Sequence, residues 1–335
     1  MLSLIKRYKI VIIGLIIPYA LMMFLMTYRI DYRITMPGGL EAIDQFIIFE
    51  ETFEQENSFY SVYVMSIEKP TFFQFIATYF DPYAQVEALP ESRQNISTIV
   101  NWRSGQVSRN SAIDASIIAS YQALGLTIEY EIQEIVYLIY NYIDNDVINI
   151  GDILLSVNDN ENVTTAINQA PCGEVAVFKL LREGEIFTTE ITKQASEGCL
   201  FGIALTTYYN ITEIEIPYEV RSNLVGGGSG GLMQTLYVFN ALSPYDLTQG
   251  YTIAGTGTMR INGTVGSIGG VRQKVYTAHM DGVDIFFVPS GFNALHAQEA
   301  YDKLDNPTMT LVEVGTFLEA LNYLLNLHGA VSDEN

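Results

Sequence analysis

One serine and one lysine in the C-terminal part of the chain combine residue types and settings suited to nucleophilic catalysis. Ser229 lies in the glycine-rich segment GGGSGG (226–231), directly before the apolar run LMQTLYVFNAL, and Lys274 lies in VRQKVYTAHM, just after Gly269 and Gly270. A serine hydroxyl becomes a good nucleophile only when a base takes its proton. A lysine can be that base if burial and a helix N-terminus lower its pKa from ~10.4. The pair therefore indicates a Ser-Lys hydrolase.

Other interpretations of these two segments stay open at this point. A glycine-rich segment before an apolar run is also typical of a turn that leads into a core helix, or of a loop that holds a phosphate. The Walker pattern, with its adjacent Gly-Lys-Ser/Thr, is absent, so we expect no bound nucleotide. Past residue 210 the only other lysine is Lys303, and its polar surroundings (AYDKLDNP) favour a solvated surface position.

The elements around the pair are predicted to position the reacting atoms. Glycines 226–228 allow a tight backbone approach, and Gly230 and Gly231 leave room for a substrate carbonyl. Backbone N–H groups at the start of the following helix could form an oxyanion hole. The second segment has an apolar stripe beside its lysine, which would bury the amine: Val271, Val275 and Ala278.

Composition and charge limit the classes of function. The chain has 335 residues, of which 49% are hydrophobic and 16% charged, as in a folded protein of about two domains plus an anchor. Its net charge of −21 provides no basic patch for phosphates, so we expect no nucleic-acid partner. The three histidines and two cysteines lack the spacing of a zinc site, so we expect no metal and no other cofactor.

A membrane anchor is predicted near the N-terminus. Residues 10–28 carry no charged side chain and would extend about 28 Å as a helix, close to the hydrocarbon thickness of a bilayer. Large side chains fill the zone where a signal peptide would be cleaved, so we expect the anchor to stay attached. Lys6, Arg7 and Lys9 precede it, which favours a cytoplasmic N-terminus and a single-pass protein of the cell membrane with its body outside.

Between the anchor and Ser229 the sequence predicts strands on either side of a helix. Residues 32–43 alternate as a strand and end in a Pro-Gly-Gly turn, and residues 58–67 form a second strand. Residues 109–124 have apolar residues at helical spacing, with Gly125 as the C-terminal cap.

Residues 126–204 predict a β-rich domain. The short strands TIEYEI and EIVYLI precede NIGDILLSVND, the helix-like TTAINQA, and a hairpin over 173–193 with its turn at 182–185. Cys172 and Cys199 bracket the hairpin, and on the oxidising side of a membrane a disulfide between them would add roughly 3–4 kcal/mol of stability. The alternative is a pair of buried free thiols.

The order of elements in 126–204 resembles a PDZ domain. The match rests on Gly151-Asp152-Ile153-Leu154, followed by a turn, a short helix and a closing hairpin. The resemblance implies a domain that binds an extended peptide by adding it to a sheet edge, and the alternative is a structural spacer or gate.

The region from roughly 205 to 325 resembles the proteolytic domain of Lon-type proteases. In that family a serine in Gly-Pro-Ser-Ala-Gly pairs with a lysine in Pro-Ile-Gly-Gly-x-x-x-Lys, and a strand ending in Thr-Gly lies between them. The matching segments here are Gly228-Ser229-Gly230-Gly231, Thr256-Gly257, and Ile268-Gly269-Gly270 with Lys274. The resemblance implies that Ser229 is the nucleophile, that Lys274 is the base, and that Thr256 orients the lysine. The alternative for Thr256 is an ordinary strand residue.

The match departs from the family beside the serine and before the lysine motif. Gly228 and Gly230 replace Pro and Ala, and Ser267 replaces the Pro ahead of Ile-Gly-Gly. Each change keeps the backbone permissive and leaves the dyad intact, but the extra glycines are expected to make the loop more mobile. The alternative function is therefore a catalytically weak or inactive scaffold that binds peptides.

With its anchor and PDZ-like insert, the whole chain resembles the membrane-anchored, PDZ-containing Lon-like serine proteases of bacteria. The resemblance implies an ATP-independent endopeptidase that cleaves secreted or membrane-proximal peptides or unfolded segments, needs no cofactor, and could form a homo-oligomer. The predicted fold is α+β, with these parts: a cytoplasmic tail (1–9), the anchor (10–28), an extracytoplasmic segment that packs on the protease body (29–125), the PDZ-like domain (126–204), the Lon-like proteolytic domain (205–327) and a polar tail (328–335).

Overall fold

The computed structural model describes residues 8–94, 96–140, 147–194 and 198–332. The described chain is a mixed α+β protein with one long apolar helix near its N-terminus. It divides into two compact units, here called the N-terminal unit (Met1–Pro37 with Val64–Gln94) and the main unit (Gly38–Tyr63 with Asn95–Asn335). Most of the predicted cytoplasmic tail and the last residues of the predicted polar tail lie outside the described residues.

The N-terminal unit contains the apolar helix and a short aromatic one. Its elements are α1 (Lys9–Thr27), α2 (Phe72–Ala77), the 3-10 turns Thr78–Phe80 and Glu91–Arg93, β4 (Gln85–Ala88), and parts of β1 (Tyr32–Ala42) and β3 (Phe59–Glu68). Strands β1 and β4 pair antiparallel. Within the described residues α1 is the one helix long and apolar enough to cross a membrane. It contains Pro18, which helices embedded in lipid tolerate.

The main unit has a sheet that is largely parallel. Its further strands are β11 (Ile253–Gly255), β14 (Ile285–Pro289) and β15 (Thr310–Val314), and the order is β15-β14-β11-β3-β1. Strand β11 runs parallel to β3 and β14, and β14 runs parallel to β15. Strand β14 reads IFFVP and is buried throughout, which is typical of a parallel strand covered on both faces.

Helices of the main unit position the candidate site. They are α3 (Thr98–Leu124), α4 (Val163–Gln169), α5 (Gly231–Ala241), α6 (Val271–Met280), α7 (Phe292–Tyr301) and α8 (Phe317–Ser332). Helix α3 packs along α5, where the buried hydroxyls of Ser116 and Ser120 donate to carbonyls of Gly231 and Thr235, each at 2.9 Å. These small side chains let the two helices approach closely.

The helix predicted over 109–124 and the predicted polar tail both differ in extent from the structure. The helix predicted over 109–124 is confirmed together with its Gly125 cap, but it begins at Thr98 because the Ser97 hydroxyl caps its N-terminus. At the other end of the chain, α8 continues to Ser332 and so includes the start of the predicted polar tail.

A second, antiparallel sheet belongs to the segment predicted as PDZ-like. Its strands are β5 (Ile128–Ile139), β6 (Ile153–Val157), β7 (Val175–Arg182), β8 (Glu185–Thr192) and β9 (Ile203–Ile214), in the order β8-β7-β6-β5-β9. The two short strands predicted after residue 126 are one strand, β5, with local irregularities in its pairing to β9. The β7–β8 hairpin confirms the predicted turn at 182–185. Strand β9 runs past residue 204, the predicted end of this domain.

Two short strand pairs and a 3-10 turn complete the main unit. They are β2 (Ile47–Phe49) with β10 (Tyr218–Val220), β12 (Thr258–Met259) with β13 (Val265–Gly266), and the turn Ile43–Gln45.

The prediction of a turn at Pro37-Gly38-Gly39 is wrong. Strand β1 continues through these residues to Ala42. A Cβ on Gly38 would collide with the backbone of Tyr63, and a Cβ on Gly39 would lie 2.7 Å from the Tyr63 hydroxyl. The glycines therefore allow the close approach of Tyr63 instead of reversing the chain.

Candidate active site

The structure brings Ser229 and Lys274 together. The Lys274 Nζ atom lies 2.7 Å from the Ser229 Oγ atom, within hydrogen-bonding distance. Ser229 comes just before α5 and Lys274 is in the first turns of α6, so the starts of two helices meet at this pair. Ser229 is half-buried, whereas Lys274 is only 2% exposed. A substrate could therefore reach the hydroxyl while the amine stays shielded from water.

Burial changes the acid–base behaviour of Lys274. Desolvation lowers the pKa of its amine from 10.5 to about 7, because the charged ammonium is disfavoured away from water. The predicted stripe of Val271, Val275 and Ala278 is buried on the same helix. At neutral pH much of the amine is therefore uncharged, with the lone pair that a general base requires.

Thr256 connects the two members of the pair. It lies directly after β11, where its N–H donates to the Phe287 carbonyl at 3.0 Å. Its hydroxyl accepts a hydrogen bond from Lys274 Nζ at 2.9 Å and donates to the Ser229 carbonyl at 3.0 Å. Because Thr256 is fully buried, these contacts hold the amine on the side of the serine hydroxyl.

For the Ser-Lys hydrolase that the sequence predicts, we expect Thr256→Val to lower kcat while leaving KM nearly unchanged. The change keeps the side-chain shape but removes the hydroxyl that orients Lys274. Lys274 becomes charged as it takes the serine proton in the transition state, and a hydrogen bond to a charged group contributes about 1.5–3 kcal/mol. That energy corresponds to a loss of roughly 10- to 100-fold in rate. Steady-state kinetics on any cleaved peptide would measure it.

Two further variants separate positioning from general damage. Thr256→Ser should restore most of the rate, because it restores the hydroxyl. Thr277→Val removes another buried hydroxyl, one that donates to the Gln273 carbonyl on α6 and accepts from the Gly38 N–H but makes no hydrogen bond to the pair, so it should leave kcat unchanged. Equal kcat for Thr256→Val and the wild type would refute the positioning role.

The glycine-rich loop before α5 is packed against α3. The N–H of Gly227 donates to the Gly105 carbonyl at 2.7 Å, and a Cβ on Gly226 would lie 3.0 Å from Gly105 Cα. A Cβ on Gly228 would lie 3.2 Å from the Ser108 carbonyl oxygen. Glycines at 226 and 228 thus permit close packing of the loop against the backbone of α3.

Backbone donors lie at the serine, where an oxyanion would form. Gly230 is the N-cap residue of α5, and Gly257 N–H donates to the Ser229 carbonyl at 2.7 Å, which fixes the serine backbone. Within the described part of the chain, the N–H groups of Ser229 and Gly230 make no hydrogen bond. Unpaired N–H groups at a helix start are suited to hold a developing negative charge.

The structure also reveals a buried ion pair behind the loop that sequence reasoning missed. Both guanidinium Nη atoms of Arg109 donate to the Glu41 carboxylate, at 3.1 and 3.2 Å, and these side chains are 4% and 11% exposed. Arg109 Nη1 also donates to the Val225 carbonyl at 3.2 Å. The Asn223 amide and the Ser61 hydroxyl donate to the same carboxylate. The one sequence signal was an arginine at the start of an apolar helical run.

The remaining predicted site residues lie apart from the dyad. Cys172 and Cys199 are joined by a disulfide, with their Cα atoms 5.4 Å apart. Among the described residues no group of three or more His, Cys, Asp and Glu side chains could hold a metal ion.

The chain was compared with known proteins. No protein-family model matches it. A search of the curated proteins also finds no match.

Proposed function

We propose that this chain is an ATP-independent serine endopeptidase, anchored by residues 10–28 in the cell membrane with its N-terminus in the cytoplasm. The observation that carries the proposal is the buried Lys274 amine, 2.7 Å from Ser229 Oγ and with a pKa lowered to about 7. Substrates would be peptides or unfolded segments on the outer side of the membrane. An extended segment is required because the scissile carbonyl must reach a half-buried hydroxyl.

The proposed reaction uses the serine, the lysine and the backbone amides. Neutral Lys274 takes the proton of Ser229 Oγ as this oxygen attacks the peptide carbonyl. The N–H groups of Ser229 and Gly230 hold the oxyanion of the tetrahedral intermediate. The Lys274 ammonium then gives its proton to the leaving amine, and an ester on Ser229 results. Water attacks that ester as Lys274 takes its proton, and the Lys274 ammonium returns this proton to Ser229 Oγ as the acid product leaves.

The proposal includes a Lon-like catalytic domain and a PDZ-like domain. The Lon-like domain is supported by two matching segments that meet at the serine through the side chains of Thr256 and Lys274. These segments are Thr256-Gly257 and Ile268-Gly269-Gly270-Val271-Arg272-Gln273-Lys274. The PDZ-like domain is supported by the antiparallel sheet with its short helix α4 and closing hairpin. A groove of about 310 Å³ beside α4 could take an apolar peptide side chain; its lining includes Ile167, Leu200, Phe201, Ile203 and Leu205.

We expect kcat/KM to rise tenfold per pH unit below pH 7 and to level off above it. The neutral amine is the active form, and its fraction increases with pH until the pKa of about 7 is passed. Peptide cleavage measured at low substrate concentration between pH 5 and 9 would define this midpoint, since kcat/KM reports the free enzyme.

Asp114 provides a matched control for this profile. Desolvation raises the pKa of its carboxyl to about 7, although a hydrogen bond with Tyr218 works against the rise. Asp114→Asn removes this carboxyl, which titrates in the same pH range as Lys274. The midpoint of the activity profile should not change. A midpoint that disappears in Asp114→Asn would assign the pH dependence to the carboxyl and not to Lys274.

The proposed function is tested by offering the full-length protein in micelles a library of peptides with blocked ends. Mass spectrometry should find products cut at internal bonds, without ATP and not with Ser229→Ala. A wild type that binds library peptides but cuts none of them would favour the peptide-binding scaffold and contradict the protease.

A further inference from the structure

Helix α2 and the turn after it form an apolar segment without a charged residue (71–80, TFFQFIATYF), here called the aromatic segment. Phe73, Ile76, Ala77 and Phe80 follow the i, i+3, i+4, i+7 spacing of one helix face, and all four are exposed. Phe80 is 86% exposed. On a helix of a water-soluble protein such an apolar stripe is packed against the core. In this segment the apolar stripe is exposed instead.

The aromatic segment is attached to the end of α1. The backbone N–H of Phe72 donates to the carbonyl of Tyr28, the residue after the helix, at 2.9 Å. The Phe72 ring lies 6.3 Å from the Phe24 ring in α1, and the Phe75 ring lies 5.5 Å from the Tyr32 ring. The exposed stripe therefore begins where the apolar helix ends.

Charged side chains lie next to this junction and are engaged with one another. Arg33 pairs with Glu68 at 2.8 Å, and Lys69 pairs with Asp31 at 3.4 Å. Arg29 Nη1 donates to the Lys69 carbonyl at 2.9 Å. Charged side chains thus lie close to both the end of α1 and the start of the aromatic segment, as charged residues do beside apolar spans at a membrane–water boundary.

We propose that the aromatic segment is a membrane-surface contact, whose exposed stripe lies in the headgroup–acyl boundary of the bilayer that α1 crosses. Aromatic rings are favoured at that depth, and helix faces rich in Phe and Leu are buried about 5–10 Å deep in the interface. The inference rests on the membrane-anchor part of the proposed function and is independent of the Ser-Lys pair.

Lipid is the occupant that the geometry favours over another protein. The stripe continues the exposed apolar surface of α1, and the natural surroundings of that surface are acyl chains. Charged residues flank the segment at Lys69 and Asp81, as they do beside apolar segments at a bilayer surface, and none lies within it. The test must therefore distinguish lipid on this face from a second copy of the chain or another protein.

Fluorescence quenching in liposomes tests the proposal without requiring proteolysis. The chain has one tryptophan, Trp102, so Trp102→Phe provides a background into which Phe80→Trp introduces a single indole. The full-length protein is reconstituted into phosphatidylcholine vesicles, with or without bromine on the acyl chains. Flotation of the vesicles first establishes that the protein is anchored, and acrylamide in the buffer then reports exposure to water.

The proposal predicts that brominated lipid removes most of the Phe80→Trp emission, and that bromine high on the acyl chain quenches more than bromine near its end. Acrylamide should have little effect. Strong acrylamide quenching would mean that the face is in water, and protection from both quenchers would mean that protein covers it. Either result overturns the proposal.

A matched control uses another highly exposed phenylalanine. Phe292, at the start of α7, is 79% exposed and belongs to a helix with polar residues around it. The Phe292→Trp indole in the same background should be quenched by acrylamide and little by bromine. Equal bromine quenching at both positions would show that the contact is not specific to the aromatic segment, and this too would overturn the proposal.

Discussion

Replacing Ser229 by Ala, or Lys274 by Met, is expected to abolish peptide cleavage. Each change should lower kcat by roughly 10⁴- to 10⁶-fold, because a nucleophile and its base act as a unit and the loss of either removes the covalent route. Lys274→Met keeps the length and apolar contacts of the buried stem but has no lone pair for the serine proton. A double variant should be little worse than either single one, and steady-state kinetics on one purified peptide would measure all three.

Matched surface changes control for this experiment. Ser290 is exposed, and so is Lys303, the other lysine in this part of the chain. Ser290→Ala and Lys303→Met should both cleave like the wild type. Substantial cleavage by either dyad variant would contradict the proposed mechanism, because that mechanism requires both side chains.

Replacing Arg109 by Met is expected to destabilise the protein by about 3–5 kcal/mol. The change leaves the Glu41 carboxylate buried without its charged partner, and removing one member of a buried ion pair costs that much. In a unit of this size the melting temperature should fall on the order of 10 °C. Thermal unfolding of the full-length protein in micelles, followed by circular dichroism, would measure the change.

Arg103→Met on the same helix is the matched control, because Arg103 is exposed. It should shift the melting temperature by little, as surface substitutions stay within about 0.5 kcal/mol. Glu41→Gln combined with Arg109→Met removes both charges and should recover part of the loss. If Arg109→Met and Arg103→Met melt alike, the pair does not stabilise the loop that carries Ser229.

The local settings of Ser229 and Lys274 could be predicted from the sequence, because Ser229 lies among glycines just before an apolar helix and Lys274 lies in the first turns of a helix that follows two glycines. That the two side chains meet is implied by the resemblance to Lon-type proteases. Local signals of this kind depend on only a few neighbouring residues. The same holds for the β7–β8 hairpin and for the Gly125 cap of α3, where turn residues act within the segment itself.

Features that depend on distant partners could not be predicted in this way. Gly38 is a glycine because Tyr63 packs against it, and nothing within residues 32–43 distinguishes that need from a turn. Likewise, Arg109 of α3 pairs with Glu41 of β1, which is distant in sequence, so its role follows only from the tertiary structure. The glycines of the Ser229 loop combine the two cases. Their conformational freedom can be predicted from the sequence, but the need for glycine follows only from the contact with Gly105.

The proposed mechanism requires that Ser229 carries an acyl group during peptide cleavage. This acyl-enzyme ester can be captured. The full-length protein is mixed with a cleaved peptide, quenched in acid within the first turnover, digested and analysed by mass spectrometry. The N-terminal part of the substrate should be attached to the fragment containing Ser229, and Lys274→Met should form no such adduct. Internal cleavage at the wild-type rate without an adduct on Ser229, or with an adduct on another residue, would contradict the mechanism.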